Sequence, residues 1–291
     1  MKTLIPPIKC QGIKSKLVAW VRANIQWNGE GKWIEPFMGS GVVGFNVKPQ
    51  RAVFCDNNPH LINFYNGINN GVINAGVVRN FLELEGKKLS KRGADYYYEV
   101  RERFNQKHEV LDFLFLNRAC FNGVVRFNGK GGFNVPFGHK PDRFSKAYIT
   151  KITNQVEWVV KYTRVCDWTF VCQDFRTTLS MAVRGDFIYC DPPYAGRHTD
   201  YFNKWTEEDE VSLCDYLKKS EAKFILSTWH SNQHRENPYI TSLWSKFDII
   251  TREHFYHVGA KESNRNPMLE ALVVSLVEGI FLQQKIHLAL N

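Results

Sequence analysis

Short apolar runs of strand length alternate with longer amphipathic stretches along most of the chain. "KWIEPF" and "AVFCDN" are brief, nearly continuous apolar runs, and "GVVGFNV" between them has helical character. Together they predict a β-α-β unit ending at Asp56. From Pro59 to about Asn117 the period lengthens to that of helices, in "HLINFYNGINN", "NAGVVRNFLELEG" and "DYYYEVRERFN". A Gly/Phe-rich stretch follows, "FNGVVRFNGKGGFNVPFGHK". Its "NGK-GG" centre, flanked by alternating Val, Arg, Phe and Val, predicts a β-hairpin with a loose tip. Strand runs return in "WTFVCQD", "GDFIYCD", "AKFILSTW", "FDIITRE" and "EALVVSLV", separated in places by helical segments such as "EEDEVSLCDYLKKS". This alternation predicts an α/β fold, a mostly parallel sheet with helices on both faces, interrupted by an insertion in its middle third. "GFNV" occurs at Gly44 and again at Gly132 in unrelated contexts and is not a repeat.

Composition narrows the class. A chain of 291 residues that is 44% hydrophobic buries a substantial core, as one α/β domain with an insertion or as two small domains. It has no apolar run of about 18 residues, so no membrane-spanning helix is expected. The opening "MKTLIPPIKC" has no apolar stretch of signal-peptide length before Lys9 and does not read as a signal peptide. The seven cysteines form no C-x-x-C pair, which suits reduced thiols in a cytoplasmic protein. Formal net charge is +9. Between Arg118 and Lys146 six Lys/Arg face one acid, Asp142, and five phenylalanines (121, 127, 133, 137 and 144) lie among them. Cations for phosphates and rings for bases suit nucleic acid. A solvated loop over a Phe-rich core is the other reading of the same stretch.

In "EPFMGSGVVGFN", Gly39, Gly41 and Gly44 match G-x-G-x-x-G. Such a loop, after a strand and before a helix, lets the backbone approach a ligand closely. Asp56, at the end of the next strand, suits the hydroxyls of a ribose. NAD and S-adenosylmethionine both fit this much, because both carry an adenosine. Only NAD carries a pyrophosphate for the helix N-terminus.

"GDFIYCDPPYAGRH" decides between them. Asp191-Pro192-Pro193-Tyr194 follows an apolar strand, at the end of the sheet where α/β proteins bind ligands. Two prolines remove two backbone donors and fix φ. Asp191 and a proline carbonyl can each accept a hydrogen bond from one amino group, and Tyr194 can stack on a planar base. The exocyclic amine of adenine is a poor nucleophile, because its lone pair is delocalised into the ring. Accepting bonds from both its N–H groups favours a pyramidal nitrogen and stabilises the positive charge that develops on attack at a methyl sulfonium. Alignment of the nitrogen with the S–CH3 bond supplies much of the rest. No metal and no covalent enzyme intermediate is needed.

With these motifs in one order, the chain resembles the Dam-type (D12 class, α-group) DNA adenine-N6 methyltransferases from Lys9 to about Val274. "IKCQGIKSKL" looks like the family's K-W-x-G-G-K, with Cys10 for its Trp and Ile13 for its second Gly. "EPFMGSG", "CDNNPHLINFYN", "LNRACFNGVVRFNGKGGFNVPFG" and "DPPY" look like its further motifs. The resemblance implies a Rossmann-like S-adenosylmethionine-dependent sheet (1–58 and 150–291) and a mainly helical target-recognition insertion carrying the hairpin (59–149). It implies Asp191, Pro192, Pro193 and Tyr194 as catalytic. Cofactor contacts fall on Cys10, Lys14, Pro36, Phe37, Gly39, Gly41, Asp56, Asn57, Asp174, Phe175 and Asp191. Gly44 is read as the glycine that lets the helix pack against the sheet. In the insertion, Arg126 matches a base-reading arginine, able to bridge guanine O6 and N7. Lys9 falls where the family reads the first guanine of its site, and Val124 and Pro136 where it contacts neighbouring base pairs. Arg118 and Asn122 match positions near the DNA backbone, with Asn128 and Lys140 added to the DNA-binding set. Phe121 parallels an aromatic wedge that fills the gap left by a flipped adenine. The implied partner is duplex DNA at a short site, G-A-T-C or another containing "GAT". The implied protein is a monomer in solution, with a dimer on DNA as an option, cytoplasmic and encoded by a prokaryote or phage.

Other readings fit less. An RNA or cytosine-N4 methyltransferase would share the tetrapeptide, but "FNVPFG" favours adenine in DNA. A DNA-binding protein that has lost catalysis fits Cys10 and Ile13 but not an intact D-P-P-Y. A dehydrogenase leaves D-P-P-Y and the hairpin unexplained. His230 and His234 are spaced i, i+4 as zinc ligands can be, yet "WHSNQH" lacks the Glu of H-E-x-x-H and reads as a polar loop past "FILSTW". Lys261 and Arg265, in "GAKESNRNP", sit in a loop that either touches phosphate or is simply solvated.

Overall fold

A computed structural model of the protein describes residues 2–194, 205–255 and 267–275. Lys261 and Arg265 lie outside the described residues. Five strands run parallel: β1 (Trp33–Glu35), β2 (Arg51–Asp56), β3 (Asp167–Cys172), β4 (Phe187–Cys190) and β5 (Lys223–Asn232), in the spatial order β3-β2-β1-β4-β5. The short β6 (Arg235–Glu236) turns back on the end of β5. β7 (Asp248–Phe255) and β8 (Pro267–Val274) complete the edge antiparallel, with β8 beside β5. The strand order reverses direction between β1 and β4, so the crevice at their carboxyl ends is where this kind of sheet holds a ligand.

The sheet is covered on both faces, which is why its central strands carry no polar alternation. β1 and β4 are buried at every position. Alternate residues feed two separate cores, as the period of two requires. Trp33, Phe187 and Tyr189 join one cluster, while Ile34, Ile188 and Cys190 join the other. The second cluster is closed by α8 (Phe175–Ser180), α9 (Glu207–Lys219) and α10 (Pro238–Ser242). The first runs without a break from the sheet into the insertion helices α3 (Pro59–Asn69), α4 (Ala75–Arg92), α5 (Ala94–Lys107), α6 (Val110–Ala119) and α7 (Lys146–Thr163), and also takes in α1 (Val18–Ala23) and α2 (Val42–Val47). Local signals set the helix starts. Asn58 accepts from the amides of His60 and Leu61, with Pro59 in the first turn of α3. Thr206 and Asp209 form a reciprocal capping box at α9.

Three elements differ from the pattern-based expectation. The hairpin exists as an antiparallel excursion but not as regular strands. It is held by the isolated bridges Cys120↔Phe137 and Phe127↔Phe133, with a 3-10 turn at Phe121–Gly123. Positive φ at Asn122, Gly123 and Gly131, and Pro136 without an N–H, break the ladder. α7 is not among the expected helices; it crosses the expected boundary at 149–150. Its β-branched residues disguise a helical period whose buried members are Ile149, Ile152, Thr153, Val156, Val159 and Val160. Finally, β5 continues through His230 to Asn232, so "WHSNQH" is strand and tight turn, not loop.

Candidate active site

The carboxyl ends of β1, β2 and β4 bring Glu35, Asp56 and Asp191 to one cavity, and the segment after β3 adds Asp174 and Phe175. Of the expected cofactor positions, Cys10, Lys14, Pro36, Phe37, Gly39, Asp56, Asn57, Asp174, Phe175 and Asp191 all line it. Gly41 is not on its wall. It caps α2 at φ 73, and an added Cβ would come within 2.7 Å of the Phe45 ring. Gly44 packs against the sheet as expected: its added Cβ would lie 2.4 Å from both Glu35 Oε2 and Phe54 Cε1.

The loop between β1 and α2 is fixed from several sides. Gly39 donates its amide to Asp56 Oδ2 at 2.9 Å, Met38 to the Cys55 carbonyl at 2.8 Å, and Tyr65 its hydroxyl to the Ser40 carbonyl at 2.8 Å. Burial raises the Asp56 pKa, against the backbone amides of Asn58, Gly39 and Asn57. Glu35 accepts at Oε2 from the Trp33 indole (2.9 Å) and the Gly44 amide (3.1 Å). Burial pushes its pKa up to about 8. Burial also drives the Cys10 thiol far up, with Asp56 adding to it, so Cys10 is held as a thiol and not as a nucleophilic thiolate.

Lys14 reaches in from the N-terminal segment and is 4% exposed. Its Nζ lies 2.8 Å from Asp191 Oδ1, 3.3 Å from the Gly12 carbonyl and 5.0 Å from the centre of the Tyr194 ring. Burial raises the Asp191 pKa while Lys14 lowers it. Pro193 lies on the cavity wall and Pro192 is buried behind it. The Tyr194 hydroxyl donates to Glu270 Oε2 at 2.9 Å.

The opposite end of the cavity is aromatic. Phe37 meets Phe175 at 5.3 Å and Trp205 at 5.4 Å, edge-on to the latter, and Phe175 meets Trp205 at 5.3 Å. The Trp205 indole donates to buried Glu210 at 2.8 Å, which sets the ring's orientation. Arg176 ties Asp174 to Asp209, with contacts of 3.1 and 2.6 Å.

An acidic and aromatic cavity beside D-P-P-Y suits a cationic methyl donor and an amine acceptor. Comparison with known families agrees: the model of the D12 class N6 adenine-specific DNA methyltransferases matches residues 11–258. The chain belongs to that class. Over 213 residues this D12 methyltransferase is 38% identical to the DNA adenine methylase of Serratia marcescens, covering 69% of this chain and 74% of that one. It is 34% identical over 212 residues to a DNA adenine methylase of Vibrio cholerae serotype O1, covering 68% and 71%. A type II methyltransferase of Lactococcus lactis subsp. cremoris is 27% identical over 257 residues, with 84% and 86% covered.

The expected DNA-contacting residues of this D12 chain divide in two. Phe121 is half exposed, and Asn122, Asn128, Pro136 and Lys140 are exposed, while Lys9, Val124 and Arg126 are half-buried around the same loop. Arg126 is steadied by Asn134, whose side-chain oxygen accepts from Nε at 2.8 Å. Asn128 turns inward on its own loop, accepting from the amides of Lys130 and Gly132. Arg118 departs from the expectation of a position near the DNA backbone. It is 2% exposed, donating to the Pro7 carbonyl and, at 2.6 Å, to Gln155 Oε1. Of the interleaved phenylalanines, Phe133, Phe137 and Phe144 are core, so the Phe-rich-core reading holds for them while Phe121 stays at the surface. His230 bonds Ser231 and His234 bonds Gln233, each at its own neighbour.

Sequence reasoning misses Trp205, Asp209 and Glu35 on the cavity wall, and Asn117 behind Lys9. Asn117 is fully buried, and its amide group accepts from the Lys9 N–H and donates to the Lys9 carbonyl, both at 2.9 Å. A lone Asn inside the apolar run "FLFLNRA" is the signal that could have found it.

Proposed function

We propose that the chain transfers the methyl group of S-adenosylmethionine to the N6 amine of an adenine flipped out of a short duplex site, G-A-T-C or another containing "GAT". The observation that carries this reading is Asp191 at the end of β4, 2.8 Å from Lys14 in the wall shared with the glycine loop. The wall fits the donor. Phe37, Phe175 and Trp205 would enclose its adenine, Asp56 would take the ribose hydroxyls, and the Asp191 carboxylate suits its positive charge. S-adenosylmethionine supplies an electrophilic methyl group; the residues supply everything that aims the amine at it. Asp191 and a proline carbonyl accept the two N–H bonds of the amine, favouring a pyramidal nitrogen. Tyr194 stacks on the base. Lys14 holds Asp191 in place, so the acceptor is oriented before the base arrives.

The insertion, residues 59–149, is the proposed target-recognition unit on a catalytic unit of 1–58 and 150–291, with α7 joining them. Lys9 and Arg126 would read base edges, Val124 and Pro136 would touch neighbouring pairs, and Asn122, Asn128 and Lys140 would lie along the backbone. Phe121 is the wedge: its amide bonds the Pro136 carbonyl at 2.9 Å, leaving a half-exposed ring at the surface. Arg118 supports this face from beneath.

Methyl transfer from labelled S-adenosylmethionine to adenine-containing duplexes tests the reading, with the product nucleoside identified by mass spectrometry. Asp191→Ala is expected to abolish transfer and leave DNA binding largely intact. Absence of any transfer by wild-type protein with the cofactor bound would overturn it. Sequencing methylated adenines in DNA from cells expressing the protein gives the site.

A further inference from the structure

β8 is apolar at most of its positions, "PMLEALVV", yet carries Glu270 in its middle, and this carboxylate is 0% exposed. A buried acid is retained where it bonds something specific. Glu270 Oε2 accepts from the Tyr194 hydroxyl at 2.9 Å. Trp229 of β5 and Arg252 of β7 stand opposite it in register. The other end of the same tyrosine is met by Lys14, whose Nζ stands 5.0 Å from the ring centre while bonding Asp191 at 2.8 Å. The tyrosine is therefore gripped at its tip by the antiparallel edge of the sheet, and along its ring by the lysine that orients the catalytic aspartate.

We infer that Glu270 is a positioning residue for methyl transfer: through the Tyr194 hydroxyl it fixes the plane on which the target base stacks. The inference rests on the proposed reading of D-P-P-Y. Wild-type transfer, measured first, tests that reading alone. Glu270 needs no contact with base or cofactor to act. It limits the freedom of Tyr194 about its side-chain torsions, so the base is held with its amine toward Asp191. Misplacement of a reacting group by about 1 Å is worth up to a hundredfold in rate.

Glu270 also lies close enough for its charge to raise the Asp191 pKa. A double-mutant cycle separates the two routes. Single-turnover methyl transfer is measured for Glu270→Ala, Glu270→Gln, Tyr194→Phe and Tyr194→Phe/Glu270→Ala, alongside S-adenosylhomocysteine affinity. Glu270→Ala is expected to slow transfer by about ten- to a hundredfold with cofactor affinity unchanged. Glu270→Gln, which keeps an oxygen acceptor but no charge, restores most of that loss. Tyr194→Phe loses a similar factor, and adding Glu270→Ala to it costs little more. Equal Glu270→Ala losses in the Tyr and Phe backgrounds would overturn the inference, since a charge acting on Asp191 or a purely structural acid acts in both. Should Glu270→Ala fail to fold, Tyr194→Phe decides: transfer at the wild-type rate without the hydroxyl overturns it, and a ten- to hundredfold loss supports it.

Discussion

Glu35 ends β1 with one carboxylate oxygen shared by the Trp33 indole and the Gly44 amide, and burial raises its pKa to about 8. In the unfolded chain it titrates near the ordinary carboxylate value. Between those two values the folded protein binds the proton that the unfolded chain has lost. Stability from this group is therefore complete below the unfolded pKa and is lost as pH rises through about 8. The ligand-free protein is expected to lose stability from pH 5 to 8 by up to about 1.4 kcal/mol per unit from this residue. Denaturant melts across that range check it: Glu35→Gln, which stays neutral and still accepts both bonds, should flatten the slope. Trp205 gives a second residue-scale outcome. On the proposed reading its ring faces the cofactor's adenine, and removing such a ring costs about 1–3 kcal/mol, so Trp205→Ala should raise the KM for S-adenosylmethionine roughly ten- to hundredfold and leave the KM for DNA unchanged. Neither residue was identified as functional from the sequence. Asp191 and Lys14 sit in motifs with a chemical logic of their own. Trp205 precedes a helix whose acids and capping box dominate the local pattern, and only the tertiary fold brings its ring to Phe37 and Phe175.

At the scale of elements, Gly39, Gly41 and Gly44 match one motif but do three different things. Gly39 anchors its amide on Asp56, Gly41 turns the chain into α2 with positive φ, and Gly44 sets how closely α2 lies on the sheet. Gly44→Ala offers up to about 1 kcal/mol of helix propensity. Against that, its Cβ would fall 2.4 Å from Glu35 Oε2 and Phe54 Cε1 and 2.8 Å from the Trp33 indole nitrogen, all in the core. Overpacking of this kind costs about 1–3 kcal/mol. The overlap wins: Gly44→Ala should lower the urea midpoint without changing the m-value. A variant as stable as wild type would show that α2 can lift off β1. β1 and β4 were legible because strands buried on both faces are plain apolar runs, and β3 because buried Trp168 and Phe170 alternate with exposed Asp167 and Thr169. The hairpin was legible as a place where the chain reverses but not in its structure. Its alternation of Val, Arg and Phe is real, yet Asn122, Gly123 and Pro136 remove the regular pairing that alternation predicts. The tetrapeptide "GFNV" shows the limit most simply. At Gly44 it is helix α2, and at Gly132 it crosses a β-bridge at Phe133. Four residues do not choose between those fates; the surrounding contacts do.

For the whole molecule, the net charge of +9 says only that a polyanion is welcome, not which cations meet it. The structure sorts them by burial. Lys130 and Lys140 are exposed beside the loop of Arg126, whereas Arg118, from the same basic stretch, is 2% exposed and bonded to Pro7 and Gln155. Phosphate contacts reveal themselves in salt dependence, because each one releases counterions, contributing about 0.9 to the slope of log K against log salt. Lys140→Ala and Lys130→Ala are each expected to reduce that slope by about 1, weaken binding to all duplex sequences alike, and leave the melting midpoint unchanged. Arg118→Leu should behave in the opposite way. It strands the buried Pro7 carbonyl, at a cost of about 1–3 kcal/mol for a buried group left unpaired, and takes the partner from the half-buried Gln155 side chain. Its salt slope, measured well below its lowered midpoint, should match that of the wild type. The two quantities, slope and midpoint, thus tell a cation that holds DNA from a cation that holds the protein. If Arg118→Leu lost slope and kept its midpoint, the arginine would have to leave its buried site to meet a phosphate, and the DNA-bound protein would differ there from the structure described.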